Sequence, residues 1–556
     1  MILTNYLVGF IEDNATLFSV PRLISGLKEC TDFVGYPTGL CQNLFVNNQP
    51  FIFIPAYLLA KLVDPVLVYN LIVLGGTALN FFFAFRFLRK LFGRFIALLL
   101  ATVFLFSPYL AYQSRAHFDL VQFWPVVWFL DTLFFSKNRH KAIFLGLLLT
   151  LITGISNYLG YFTLITAGLY AVASFRVQPA AGRTPWETVT MGLRFVVTTL
   201  AVFALSSLIF LAPYIKSNYF SPKVRVEDNV DSTAINRPFE DFVTFSSRPW
   251  YYLLPSVDNP FFGSLSQGFL DRLSGGGNYL AQNYFKAEHS ASYLGWVNLS
   301  LALIGIIALF RVKREAPIRY HALLVTIIGL IILTMPPSIT IDRVLIYTPS
   351  YILFKFFPMF RVLARAGVLI LFLTLIFTGY GYRVLVKHGV TKPVLAALML
   401  FSIAEFFIPL KITHVGIPPK VYAYIGATDP LKSPVVIYPY NKTNEALFWM
   451  TAYNQPLINP KSYGDKKSGF VSEDFTNALN ASGGLEKARQ MGAKYLVYFY
   501  EDDRNVALDF FNNTDYLAKS TQFNEVGKEE KGMLGLVRIV EAGTAKSNSA
   551  VLYTFR

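Results

Sequence analysis

The run VLVYNLIVLGGTALNFFFAFRFL, Val66 to Leu88, decides the fold. A helix needs about 20 apolar residues to cross the hydrocarbon of a bilayer, and this run supplies them. Its one charge, Arg86, sits near the end and is followed by Arg89, Lys90 and Arg94. An apolar span that ends in a basic cluster places that end on the cytoplasmic side.

Forward from this run the pattern repeats. Phe95–Tyr112 leads to the polar connection Gln113–Asp119, and Leu120–Phe135 returns to Lys137, Arg139 and Lys141. Ala142–Ser156 and Leu159–Phe175 form the next pair, ending at Arg176, Arg183 and Arg194. Phe195–Ile215 leads to a long loop, Lys216–Ala291, whose charges nearly balance. Ser292–Phe310 returns to Arg311, Lys313, Arg314 and Arg319, Tyr320–Leu333 leaves, Val362–Tyr382 returns to Arg383 and Lys387, and Val394–Leu410 leaves last. Every second connection is basic, which predicts about 10 or 11 spans. It also puts the Glu12–Pro50 loop, the 216–291 loop and the chain after Lys411 outside the cytoplasm. Backward from Val66, Asp64-Pro65 breaks the chain, Phe51–Val63 reads as interfacial, and Met1–Ile11 reads as a partial first helix or one that begins upstream.

Composition agrees. Of 556 residues, 54% are hydrophobic and 15% charged, against about a quarter charged in soluble domains; the mean hydropathy is +0.44. The formal charge of +15 does not indicate nucleic acid, because the cations cluster between apolar runs. The expected partner is the lipid bilayer. Residues 1–410 are therefore read as a transmembrane domain with outer loops 12–50 and 216–291.

Residues 411–556 are different. Pro434–Tyr438 and Ala493–Phe499 read as buried strands, Glu445–Tyr453 and Leu485–Met491 as helices, and Gly532–Val540 and Val551–Phe555 as later strands. Strands alternating with helices predict a small extracytoplasmic α/β domain with some parallel pairing.

Ionisable residues at membrane level are functional candidates. Glu12 and Asp13 open the first outer loop, with Asp13 alternatively a helix N-cap. Arg115, His117 and Asp119 cluster at a membrane exit; the bland alternative is a polar interfacial turn, with Arg115 pairing Asp119. Arg361 and Arg365 lie four residues apart and would share one helical face, presenting forks suited to phosphate; the alternative is snorkelling to head groups. Glu288 precedes a span and is a site acid or an interfacial one. Gly275-Gly276-Gly277 lacks a following Gly-Lys-Ser/Thr and is no phosphate loop. Cys30 and Cys41, the only cysteines, can close a disulfide in an oxidising compartment or remain free thiols.

Several stretches together resemble the GT-C-type polytopic glycosyltransferases, particularly the YfhO-like prokaryotic membrane protein branch. They are Glu12-Asp13; Tyr36-Pro37-Thr38-Gly39; Ser107-Pro108-Tyr109 with His117 and Trp124-Pro125; Glu288 with Tyr293-Leu294-Gly295-Trp296; Phe357–Arg361 with Arg365; and Tyr463-Gly464 with Gly492–Val497. The resemblance implies sugar transfer from a polyprenyl-phosphate-linked donor to a glycan, lipid or protein acceptor outside the cell membrane. Asp13 would act as catalytic acid or base, with Glu12 and Asp119 beside it. Arg361, Arg365, Arg115, His117 and Glu288 would bind substrate and phosphate. A divalent metal, Mg or Mn, would be held by Asp13 and Asp119 if one is used. A lipid-linked glycan flippase or transporter, and a non-enzymatic cell-envelope glycan assembly or sensor protein, remain the alternatives.

Overall fold

The computed structural model describes residues 6–8, 29–31, 40–42, 49–60, 62–174, 185–215, 237–275, 284–311, 318–341, 344–415, 419–439, 442–453, 455–459, 476–500, 505–523, 529–531, 537–541 and 549–556. Three short strands come first: β1 (Tyr6–Val8), β2 (Glu29–Thr31) and β3 (Leu40–Gln42). The Val66 run is the interior of a long helix. Asp64 caps it, accepting from the amides of Val66 at 2.8 Å and Leu67 at 3.2 Å, and Pro65 fills the first turn where its missing N–H costs nothing.

The helices are α1 (Pro50–Ala60), α2 (Pro65–Phe92), α3 (Arg94–Leu105), α4 (Pro108–Ala116), α5 (Trp124–Phe135), α6 (Lys141–Ile155), α7 (Asn157–Ser174) and α8 (Pro185–Ile215). The 237–291 segment adds α9 (Phe239–Thr244), α10 (Gly263–Gly275) and α11 (Lys286–His289). Then come α12 (Trp296–Arg311), α13 (Tyr320–Thr334), the hairpin β4 (Ser338–Ile341) and β5 (Val344–Tyr347), α14 (Tyr351–Phe356), α15 (Gly367–Lys387) and α16 (Lys392–Phe406). Four helical stretches among the described residues are long and apolar enough to span a membrane alone. The bent pair α3–α4, turning by 45° at Ser107-Pro108, makes a fifth, and shorter apolar helices fill the bundle. The chain is a multi-pass membrane protein.

Burial decides which span is central. The window around α15 is 94% buried, against 11% for that of α8. A helix apolar on every side belongs inside, and α15 is enclosed by α12, α13, α2 and α3. Against α12 it packs backbone to backbone. A Cβ on Gly381 would lie 2.1 Å from the carbonyl oxygen of Leu301, and one on Gly305 2.1 Å from that of Phe377. Small residues allow such approach where no hydrophobic force drives helices together in lipid.

After α16 follow β6 (Leu410–His414), α17 (Lys420–Thr428), β7 (Val435–Tyr438), α18 (Thr443–Tyr453), α19 (Ser482–Gln490), β8 (Tyr495–Phe499), α20 (Asn505–Asn513), β9 (Leu517–Phe523), β10 (Glu529–Lys531), β11 (Val537–Glu541) and β12 (Ala550–Phe555). One sheet has the order β7-β8-β12-β9. Its β7 and β8 are parallel, with Val435 opposite Tyr495, as a crossover through α18 and α19 requires. The other has the order β1-β6-β11-β10. Thus Tyr6–Val8, read from sequence inside a partial helix, is a strand antiparallel to β6, with Tyr6 opposite His414. A short apolar run carries no periodicity that separates helix from strand; the partner strand, about four hundred residues on, decides it.

The β7–β8 sheet is seated on one end of the bundle. Val435, Ile437, Val497, Tyr422 and Trp449 share an apolar cluster with Ile52 and Ala56 of α1, with Val66, Tyr69 and Val73 of α2, and with Phe118.

Candidate functional site

Phe118 sits in a turn whose neighbours face differently. At His117 the backbone leaves helical geometry, closing α4. The following turn buries Phe118 against the rings of Phe53 and Tyr69 and leaves His117 and Asp119 on the bundle side.

Arg365 is the centre of that side. It belongs to a single 3-10 turn, Leu363–Ala366, that leads into α15. Its Nε donates to Glu288 Oε2 at 2.9 Å and its Nη2 to Glu288 Oε1 at 2.6 Å. The side chains are 10% and 11% exposed. This two-point fork is the strong form of the guanidinium–carboxylate contact, and burial without it would be prohibitive for either charge. The guanidinium also lies 4.6 Å from the centroid of the Tyr158 ring. Arg365 Nη2 approaches His117 Nε2 at 3.4 Å. Arginine has no acceptor to offer, so this ring nitrogen faces the cation as a lone pair. Burial first, then the charge of Arg365, holds the His117 ring below its ordinary pKa, while Asp119 and Glu288 pull the other way.

Asp119 accepts from Gln49 Nε2 at 3.0 Å, which ties the end of the first loop to the turn. Tyr109, buried and donating to the Leu120 carbonyl at 3.2 Å, lies within the fields of Arg365, Asp119 and Glu288. His117, Asp119, Glu288 and Arg365, all singled out from sequence, are therefore neighbours. Tyr158, Gln49 and Asp241 are additions that sequence reasoning missed, and Tyr109 stands there only in the Ser107-Pro108-Tyr109 motif, without a role. An aromatic ring at a span end carries no mark separating it from an interfacial belt.

Arg361 departs from the expected shared helical face. α14 ends at Phe356 before Pro358, and Phe357–Val362 is not helical, so four-residue spacing no longer means one face. Arg361 pairs instead with Asp241 of α9 and stacks over Phe245 at 5.2 Å. The charges of both Arg361 and Arg365 still reach Tyr158.

Arg115 turns away from Asp119. Its Nη2 donates to the Pro409 carbonyl at 2.6 Å and its Nη1 is 4.0 Å from Asp258 Oδ2. Asp258 also accepts from Lys286 Nζ and Tyr112 Oη, each at 2.8 Å. Burial alone would raise the Asp258 carboxyl; the Lys286 and Tyr112 hydrogen bonds, aided by the Arg115 charge, hold it below the usual carboxylate range. This second network braces the exit of α16 against the 237–291 segment. His289 is structural: its Nδ1 accepts from the Phe285 amide at 3.0 Å, its Nε2 faces the Thr244 carbonyl at 2.8 Å, and it stacks on Tyr251.

Glu12 and Asp13 lie outside the described residues. Among the described residues no three His, Cys, Asp or Glu side chains assemble as metal ligands, and Glu288 is held by Arg365. The described side chains do not by themselves fit a divalent ion, so no step is derived through one.

A central buried span and a broken helix pair thus meet an ionic site at the end of the bundle that carries the sheet. Residues 31–241 match the family described as a domain of unknown function, DUF6311. No curated protein matches the chain by sequence. Among solved structures it is similar to the arabinofuranosyltransferase AftD from Mycobacteria, at 14% identity and a TM-score of 0.54, over 100% of this chain and 39% of that one. It thus spans about two fifths of that enzyme's length. It is also similar to the Archaeoglobus fulgidus oligosaccharyltransferase (13% identity, TM-score 0.48, 96% of this chain and 70% of that one) and to ArnT from Cupriavidus metallidurans (11%, 0.35, 99% and 94%). Membership of the GT-C class, and of its YfhO-like branch, is a proposal.

Proposed function

We propose that this protein is a membrane glycosyltransferase that moves a sugar from a polyprenyl-phosphate-linked donor to an extracytoplasmic acceptor. The observation that carries the reading is one juxtaposition. Asp119, His117 and the buried Arg365–Glu288 pair meet at one end of a GT-C-type bundle, beneath the β7–β8 sheet. Transfer needs a base for the acceptor hydroxyl and a fixed cation for the departing phosphate. The hydroxyl oxygen bonds to the anomeric carbon, the carbon–phosphate oxygen bond breaks, and the phosphate leaves with the electron pair. Asp119, together with Asp13 of the first loop, takes the hydroxyl proton. Arg361, at 32% side-chain exposure against 10% for Arg365, is the cation that can exchange its carboxylate for a lipid phosphate. Arg365 is the positioning residue, its fork committed to Glu288. Where a divalent ion, Mg or Mn, is used, Asp13 and Asp119 would hold it instead of taking the proton.

Residues 1–410 form the transmembrane domain in this reading, and residues 411–556 lie outside the cytoplasm. A cysteine at Ser549 is expected to react with an impermeant external label; labelling from the cytoplasmic side alone reverses the topology. The activity test is sugar transfer in proteoliposomes supplied with a polyprenyl-phosphate-linked sugar. Asp119→Asn and Asp13→Asn are each expected to lower the rate by about 10²- to 10⁴-fold, the usual worth of a general base. Full activity in both variants moves the site elsewhere. Wild type that transfers nothing, while its deletion alters glycan export, replaces the enzyme with the carrier.

A further inference from the structure

The opposite end of the bundle holds a second charged site, independent of the transfer reading. Tyr69, near the start of α2, reaches the Ser114 carbonyl beside the candidate site. Lys90 lies 21 residues further along the same helix, about 30 Å at 1.5 Å per residue, or one hydrocarbon thickness. There a cavity of about 360 Å³ opens between α2, α5 and α6.

Its acid is Asp131, placed among apolar residues of α5 and 8% exposed in its side chain. Lys90 Nζ donates to both carboxylate oxygens, at 2.6 and 2.8 Å. That pair is complete, yet a second cation, Arg86, lies 3.6 Å from the same carboxylate. Two cations on one acid leave a net positive charge. Arg86 and Lys90 keep 44% and 37% of their side-chain surface, and both line the cavity. The rest of the lining is the aromatic set Trp128, Phe135 and Phe144 together with the polar Thr132, Ser136 and Asn138. Arg89, Arg94, Lys137, Arg139 and Lys141 occupy the adjoining chain, with Asp131 the nearest acid in sequence to the last three. A structural ion pair needs neither the surplus cation nor an aromatic hollow beside it.

We propose that this cavity binds the phosphate of an anionic membrane lipid, with Arg86 and Lys90 on the headgroup and Trp128 and Phe144 along the first methylenes of its chains. Basic residues near a bilayer surface gain from anionic lipid, and aromatic walls suit a lipid better than a free anion.

The test uses the full chain in phosphatidylcholine nanodiscs titrated with phosphatidylglycerol, with bound lipid counted by native mass spectrometry. Wild type is expected to retain phosphatidylglycerol at least about tenfold over phosphatidylcholine, following the roughly 1 kcal/mol gained per basic residue near an anionic surface. Arg86→Gln removes most of that preference without lowering the unfolding midpoint in pure phosphatidylcholine, since Arg86 is half-exposed. Asp131→Asn removes the competing carboxylate, so phosphatidylglycerol binds more tightly. Soluble glycerol phosphate at millimolar concentration does not displace the lipid. Equal retention of the two lipids, unchanged preference in Arg86→Gln, or weaker binding in Asp131→Asn overturns the proposal. Displacement by glycerol phosphate also overturns it, in favour of a soluble phosphate ligand.

Discussion

Replacing Glu288 by Met strands a guanidinium. Arg365 would keep its buried place at the head of α15 while losing both short bonds to the carboxylate, at 2.6 and 2.9 Å. His117 beside it offers one lone pair at 3.4 Å, and the Tyr158 ring face cannot accept a fork. Removing one partner of a buried pair costs about 3–5 kcal/mol, whereas replacing both by apolar groups of similar volume is often neutral or favourable. Glu288→Met and Arg365→Met are therefore each expected to cost about 3–5 kcal/mol. The double variant should cost less than either, giving a coupling of at least about 3 kcal/mol. Glu288→Gln, which keeps the shape and one acceptor, should fall between wild type and Glu288→Met. The assay is unfolding of the purified chain in mixed micelles, followed by tryptophan fluorescence across the four members of the cycle. Transfer activity should be lost in all three variants, because the positioning of Arg365 is gone even where stability returns. Single variants within about 1 kcal/mol of wild type, or a double variant that costs the sum of the two, would falsify the view that these charges hold each other in a dry site.

The His117 ring is held below 6.5 when folded, so in acid the unfolded chain binds the extra proton. Stability should be level above about pH 7 and fall as the pH drops through 6.5 towards the folded value, and His117→Gln should flatten that limb; a parallel decline in both proteins removes His117 as its source. Gly381→Val drives a side chain into the Leu301 carbonyl and should destabilise the α12–α15 contact by about 1–3 kcal/mol or more, read as a lower unfolding midpoint; an unchanged midpoint means the two backbones are not in contact. The register of β2 and β3 sets Cys30 opposite Cys41, so the two thiols should resist alkylation until a reductant is added. Immediate labelling of both would show free thiols. The closed loop should contribute about 3 kcal/mol in the chain-entropy account.

Much of the architecture was legible one segment at a time. Span length, the basic ends of alternate connections and the Asp64-Pro65 start of α2 are local properties, and a helix in lipid satisfies its own backbone, so its sequence alone announces it. The buried runs that became β7 and β8 were equally plain, and their parallel pairing followed from the helices between them. What the sequence could not rank was position. α15 and α8 read as similar apolar spans, and only packing made one the centre and the other the rim. The site was legible as a set of charges but not as a set of pairs. Arg365 and Glu288 are 77 residues apart, Gln49 and Asp119 are 70, and Arg361 and Asp241 are 120. Spacing suggested that Arg361 and Arg365 share a face and that Arg115 meets Asp119. Pro358 and the end of α4 at His117 undo both. A charge seeks whichever counter-charge the packed helices bring within a few ångströms, and that distance is fixed only when the bundle closes.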